Sequence, residues 1–286
     1  MRFVKRRFFI TLLLLVCFSV VGVWLFSSHV IASPDQYVKS DPLSQTAPWI
    51  VQPPEFRNKL LHYTQLQTQQ LKDSASAPEK ERTTLADIWM KLNQLGELEQ
   101  FYGLYTSADG KTFYQEIYED RQTSTTVFGK KDPFMQQMPL GCPIQSPQTP
   151  SALKTPRILF IDMMKLQQAT FQMKRTAPAP SQNLSPSFIT QKQSLPSPQK
   201  VYAATGAVQI WEKTEKLNGG EAERKVTEEI DQHHRLLVDY AVTRTASGAM
   251  SSMKTVFGTV EVYETGKGTS SVFPTHAQLL TKGCDR

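Results

Sequence analysis

Cysteine is scarce in this chain, with three in 286 residues. Cys17 sits inside an apolar run, which leaves Cys142 and Cys284 for the rest. There is no C-x-x-C, and no Cys/His spacing suits a metal, so zinc-ribbon and dithiol redox chemistry are excluded. Recognisable catalytic patterns are missing as well. Ser247-Gly248 and Ser251-Ser252 lack any nucleophile-elbow context. Gly266-Lys267-Gly268-Thr269 has the wrong glycine spacing for a phosphate loop. Glu116, Glu119 and Asp120 are not spaced as an acid/base pair. Charge excess is small too. The formal net charge is +6, from 32 basic and 26 acidic residues, but Arg2, Lys5, Arg6 and Arg7 precede the first apolar run and residues 1–32 hold no acid. Without those four, 28 basic residues face 26 acidic ones, a net +2 over residues 33–286. That body has no electrostatic footprint for a phosphate backbone, so no nucleic-acid partner is expected. His233-His234 beside Asp231 is the ionisable cluster that stands out. Neighbours on a strand point to opposite faces, so the two imidazoles do not readily share a metal. They read as a polar strand start in solvent, with a hydrolase built on His233 as the competing reading. The expectation is no enzyme, no metal and no cofactor.

What is present begins at the N-terminus. Three basic residues at positions 5–7 lead into the apolar stretch Phe8–Phe26, as a translocated chain requires. Val30 and Ala32 fill the small-residue slots of a signal-peptidase site, which puts cleavage after Ala32. The other reading is an uncleaved anchor: at about 1.5 Å per residue the stretch makes a helix of about 28 Å, enough to span a bilayer. Either way, residues 33 onward leave the cytosol for the periplasm or cell surface. Cys17 is not a lipidation site, because Leu14-Leu15-Val16 lacks the small residue needed before the cysteine. In an oxidising space Cys142 and Cys284 read as one disulfide, or as two unpaired thiols. A bridge would close a loop of about 140 residues, worth about 5 kcal/mol in the chain-entropy model.

The body has four parts. Residues 33–55 hold Pro34, Pro42, Pro48, Pro53 and Pro54, an extended spacer or simple disorder. Residues 56–104 read as helical. Phe56, Leu60, Tyr63 and Leu71 fall near one face of a first helix, and Thr84-Leu85-Ala86-Asp87 has the pattern of a capping box opening a second. Leu85, Ile88, Trp89, Leu92 and Leu95 follow at helical spacing. Residues 105–286 then alternate with a period of two. Strands are expected over 112–118, 123–128, 157–162, 207–214, 235–244 and 255–263, with turns at Asn218-Gly219-Gly220 and Ser247-Gly248. Residues 132–156 read as a loop. A proline-rich insert over 176–200 reads as a solvent loop, with a linker as the runner-up. Pro274–Lys282 reads as a closing helix.

Five motifs from residue 157 to the end come in a suggestive order. Phe160-Ile161-Asp162 precedes the variable insert, and Gln209-Ile210-Trp211-Glu212-Lys213 is a strand with a central tryptophan. Glu228-Glu229-Ile230-Asp231 leads to Arg235-Leu236-Leu237, Ala246-Ser247-Gly248 is a turn, and Pro274–Cys284 closes with a helix and a cysteine. In this order they resemble the surface-adhesin protein E family of Gram-negative bacteria, which are small exported β-rich domains. The match covers residues 157–286. Where the family has its first cysteine this chain has Gln232, so Cys142 would have to replace it as partner of Cys284. The resemblance implies binding of host matrix or serum proteins such as laminin, vitronectin or plasminogen. No ligand residue carries over, because no matched motif is a binding motif.

The expected fold is therefore α+β: mainly an antiparallel sheet or small barrel, with two N-terminal helices, a short C-terminal helix and a leading signal or anchor segment. The expected function is non-enzymatic, adhesin-like protein binding, with Tyr105, Tyr114, Tyr118 and Tyr263 as candidate contact aromatics. The alternative is a periplasmic structural or assembly factor, tethered to the membrane through residues 8–26 and bound to envelope components.

Overall fold

The computed structural model describes residues 48–107, 112–118, 123–128, 143–147, 160–179, 197–204, 206–266 and 272–273. It makes strands of both segments expected to be helices. After a two-residue strand β1 (Ile50–Val51), β2 runs from Lys59 to Lys72 and β3 from Lys80 to Leu92. The misleading signal has a physical origin. Leu60, Leu61, His62, Tyr63 and Thr64 are all buried, as is every residue from Ala86 to Met90. A strand covered on both faces shows no polar alternation, and its apolar run cannot be told from a helix by period. Nor do Thr84 and Asp87 cap a helix: they stand across from Gln67 and Thr64 in the β2–β3 ladder. The two-helix α+β arrangement is thus replaced by sheet.

The remaining strands form two meanders. The first continues from β2 and β3 through β4 (Leu98–Ser107), β5 (Thr112–Tyr118), β6 (Thr123–Phe128) and β7 (Pro143–Pro147). β7 lies inside the stretch expected to be a loop. Strand β8 (Phe160–Ile161) pairs with β1 as a separate ribbon. It is followed by helix α1 (Met163–Gln168), the one α-helix among the described residues. Asp162 caps α1 by accepting from the amides of Met164 and Lys165, and Leu166 is buried from it. Strands β9 (Gln172–Pro178) and β10 (Lys200–Tyr202) flank the insert. The second meander is β11 (Ala207–Leu217), β12 (Ala222–Ile230), β13 (Leu236–Thr245) and β14 (Met250–Glu264), with β9 outside β11. The first long strand zips to the last: β2 pairs with β14 from Lys59↔Glu264 to Lys72↔Met250. One 12-stranded antiparallel sheet results among the described residues, with β10 taking the far part of β14.

A bulge decides which side chains meet. Between Phe257↔Gln65 and Val260↔Tyr63 the β2–β14 register shifts by one residue. Phe257 and Val260 therefore share one core with Leu61, Tyr63, Met90 and Trp211. Glu261 and Tyr263 go to the opposite face, where Leu60, Trp89, Tyr102 and Ile117 form a second core with Val272. Strict alternation through Gly258 would have put Phe257 and Glu261 together. A second shift, between Glu229 and Ile230, likewise parts Leu236 from Val238, which strict alternation would put on one face. Ala32, Cys142, Cys284 and the expected helix over Pro274–Lys282 lie outside the described residues.

Candidate functional site: two buried polar centres

The sheet buries ionisable groups on each face. On the second face, His62 of β2 sits between two carboxylates. Its Nε2 is 2.5 Å from Asp87 Oδ1 on β3, and its Nδ1 is 2.9 Å from Glu261 Oε2 on β14. The Tyr263 hydroxyl donates to the same Glu261 oxygen at 2.8 Å, and the imidazole stacks on Trp89 with centroids 4.0 Å apart. Burial pushes the imidazole pKa down, but hydrogen bonds to Asp87 and Glu261 and their charges outweigh it, so the net shift is upward from 6.5. With a carboxylate oxygen at each nitrogen, the geometry suits the doubly protonated ring, a cation clasping β3, β2 and β14 together. The neighbouring Tyr263 and Tyr102 phenols are raised, chiefly by burial.

On the first face, Glu228 of β12 is fully buried and stands directly across from the equally buried Asp239 of β13. Its Oε1 accepts from the Trp49 indole at 3.0 Å. Its Oε2 has no hydrogen-bond partner among the described residues. Burial raises its pKa to about 7, with the Trp49 hydrogen bond opposing. Trp49 is placed from outside the main sheet. The β1–β8 ribbon holds it, the Asp162 amide donates to its carbonyl at 2.7 Å, and its ring meets Phe171 edge-on at 5.1 Å.

A third group, Arg235, fills the fork where β14 leaves β13 for β10. Its Nη1 donates to the carbonyls of Tyr202 at 2.5 Å and Gly258 at 3.1 Å, and its Nε is 3.5 Å from Asp231 Oδ2. Asp231 Oδ1 also accepts from the amides of His233 and Arg235. His233 and His234 are thus the exposed tip of a tight turn, with His234 at φ 62°. Among the described residues no hydrogen bond or ion pair engages either imidazole. Of the candidate contact tyrosines, Tyr118 and Tyr263 are core residues at 6% and 2% exposure, and Tyr105 packs against the first core. No group of His, Cys, Asp and Glu that could hold a metal occurs among the described residues.

The sequence reading missed His62 and Glu228. His62 lies 25 residues from Asp87 and 199 from Glu261, so only the strand register brings them together. A histidine amid an apolar run was the available signal. Glu228 entered the sequence reading only as part of the Glu228-Glu229-Ile230-Asp231 motif, with no role of its own.

No protein-family model matches the chain, and no curated protein matches it by sequence. Three solved structures are similar at low level. One is a LolA superfamily protein from Nitrosomonas europaea, at 9% identity and a TM-score of 0.24, covering 78% of this chain and 94% of that one. Another is a domain assigned provisionally to outer-membrane lipoprotein sorting in Vibrio parahaemolyticus, at 11% identity and a TM-score of 0.17, covering 75% and 91%. The third is a β-barrel-like protein of a domain of unknown function from Brucella abortus, at 9% identity and a TM-score of 0.17, covering 72% and 99%. At these values the site reading rests on the chain's own geometry.

Proposed function

We propose that the chain is a non-enzymatic envelope protein, a periplasmic structural or assembly factor that works by binding another envelope component. The observation that carries the non-enzymatic part is the closure of the His62 centre. General acid–base and nucleophilic roles need an imidazole nitrogen free to reach a reacting proton. Both nitrogens of His62 are engaged by carboxylates inside the sheet. The buried charges therefore serve the fold, and the working surface is the outside of the sheet. The envelope part rests on the basic-then-apolar leader and the small residues ahead of Ser33. Adhesin-like contact through tyrosines is not taken up, because Tyr118 and Tyr263 are buried.

A phosphatase reporter that is active only outside the cytosol, fused behind residue 60, tests the placement. Activity is expected; a silent fusion that is nonetheless expressed would remove the envelope reading. Alkaline extraction of membranes then separates a tethered factor, which stays in the pellet, from a cleaved one.

A further inference from the structure

The two end strands of the sheet are built differently. β7 begins at Pro143 and ends at Pro147, so proline removes amide donors from both ends of that edge. β9 has a single proline, Pro178, at its very end. It pairs with β11 on one side, and among the described residues no strand covers the other. Every β9 residue except Ala177 is exposed. A row of backbone donors and acceptors therefore faces outward over Gln172–Ala177, which is a template for one more strand.

The side chains say what kind of strand. The β9–β11 register jumps from Ile210↔Arg175 to Trp211↔Met173, which leaves Lys174 as the extra residue of a bulge. Lys174 donates to Gln172 at 2.9 Å, and neither Lys174 nor Arg175 pairs with an acid among the described residues. A second copy pairing antiparallel about Arg175 would set Arg175 against itself, and centring on Lys174 would do the same with lysine. Like charges directly opposite are destabilising. Those two registers are disfavoured for a second copy, and in any register the Lys174 and Arg175 cations favour an acidic strand beside them.

We propose that β9 is a docking edge for an extended acidic segment of another protein, which joins the sheet by main-chain hydrogen bonds next to Lys174 and Arg175. This rests on the reading of the chain as a binding protein, but it is tested in vitro, apart from the cellular placement. The probe is a blocked peptide of about eight residues alternating valine and glutamate, titrated onto the full-length chain beside a valine–lysine control. The glutamate peptide is expected to bind at least about tenfold tighter, with slowed amide exchange over Gln172–Thr176. Lys174→Glu with Arg175→Glu, at exposed positions that leave the melting temperature unchanged, should reverse the preference. Methylating alternate peptide amides should abolish binding. The idea is overturned by equal binding of the two peptides, by a preference that survives the double substitution, by indifference to methylation, or by no binding of the glutamate peptide.

Discussion

His62 and Glu228 are buried in the same sheet and differ in how a charge on each is matched. His62 has a carboxylate at each nitrogen and is kept charged. Glu228 has one indole donor, and the buried Asp239 stands across from it. A charge there would be desolvated, and the single Trp49 hydrogen bond does not offset that, so its pKa rises to about 7. Burial disfavours charge in both groups; two carboxylate partners overcome it at His62, and one indole does not at Glu228. His62 is a clasp between the first and last long strands, whereas Glu228 is a hydrogen-bond acceptor for a tryptophan brought in from a side ribbon.

The largest way to break that contrast is to remove the cation. His62→Ala leaves the buried Asp87 and the partly buried Glu261 without it, and breaking a buried pair from one side costs about 3–5 kcal/mol. Urea unfolding at neutral pH measures it. Adding Asp87→Asn and Glu261→Gln should recover much of the loss, because no uncompensated charge then remains. A cost below about 1 kcal/mol for His62→Ala would mean that the clasp does not hold the sheet together.

The pH dependence separates the two centres. Both folded-state pKa values are raised, so both contributions are fully present below the unfolded values and are lost as pH rises. For Glu228 the loss runs from 4.5 to about 7, and a shift of that size corresponds to about 3 kcal/mol. For His62 it begins near 6.5 and continues above, through its raised folded value. The protein should therefore be more stable at mildly acidic than at mildly alkaline pH. Glu228→Gln should flatten the lower window by up to about 3 kcal/mol while leaving the upper one in place. Unfolding midpoints taken across the range test both limbs. A Glu228→Gln curve parallel to the parent would show that Glu228 ionises freely in the folded chain.

The same contrast explains what could be read from the sequence. Strands of the second meander announced themselves, because Arg235–Arg244 and Thr255–Tyr263 alternate visibly. β2 and β3 did not, because the sheet is covered on both faces where Leu60 and Leu61, or Trp89 and Met90, lie side by side. There the period of two vanishes and a helical spacing is left behind. The His62 centre was illegible for a related reason. Its members are joined by cross-strand register, and the bulge at Gly258 places one of them on the unexpected face. Helix α1 went unseen because, at six residues, it is too short to show a period; Asp162 was the cue.

Gly258 offers a more selective handle on the His62 side. A β-carbon there would lie 2.3 Å from Thr64 Oγ1 and 3.0 Å from the Thr64 carbonyl. Gly258→Ala must push β14 off β2 at the bulge that delivers Glu261 to His62, at a cost of about 1–3 kcal/mol. The upper pH window should shrink with it, and the Glu228 window should stay. Thr64→Ala in the same chain relieves the hydroxyl clash but not the carbonyl, so thermal unfolding should show partial rescue. Full stability in Gly258→Ala would mean that the bulge is not what fixes Glu261.

The smallest effect is expected at Asp162, on the Glu228 side. Its carboxylate accepts from Met164 and Lys165 at 3.1 and 3.2 Å, while its own amide donates to the Trp49 carbonyl. Asp162→Ala removes the cap of α1 and should cost about 1 kcal/mol, and Asp162→Asn only a few tenths. The amide that steadies Trp49 belongs to the backbone and survives either change. The stability loss should therefore come with an unaltered Glu228 window in the pH series. If the window moves as well, the cap and the indole form one unit, and the support of Glu228 extends through the side chain of Asp162 rather than the ribbon backbone alone.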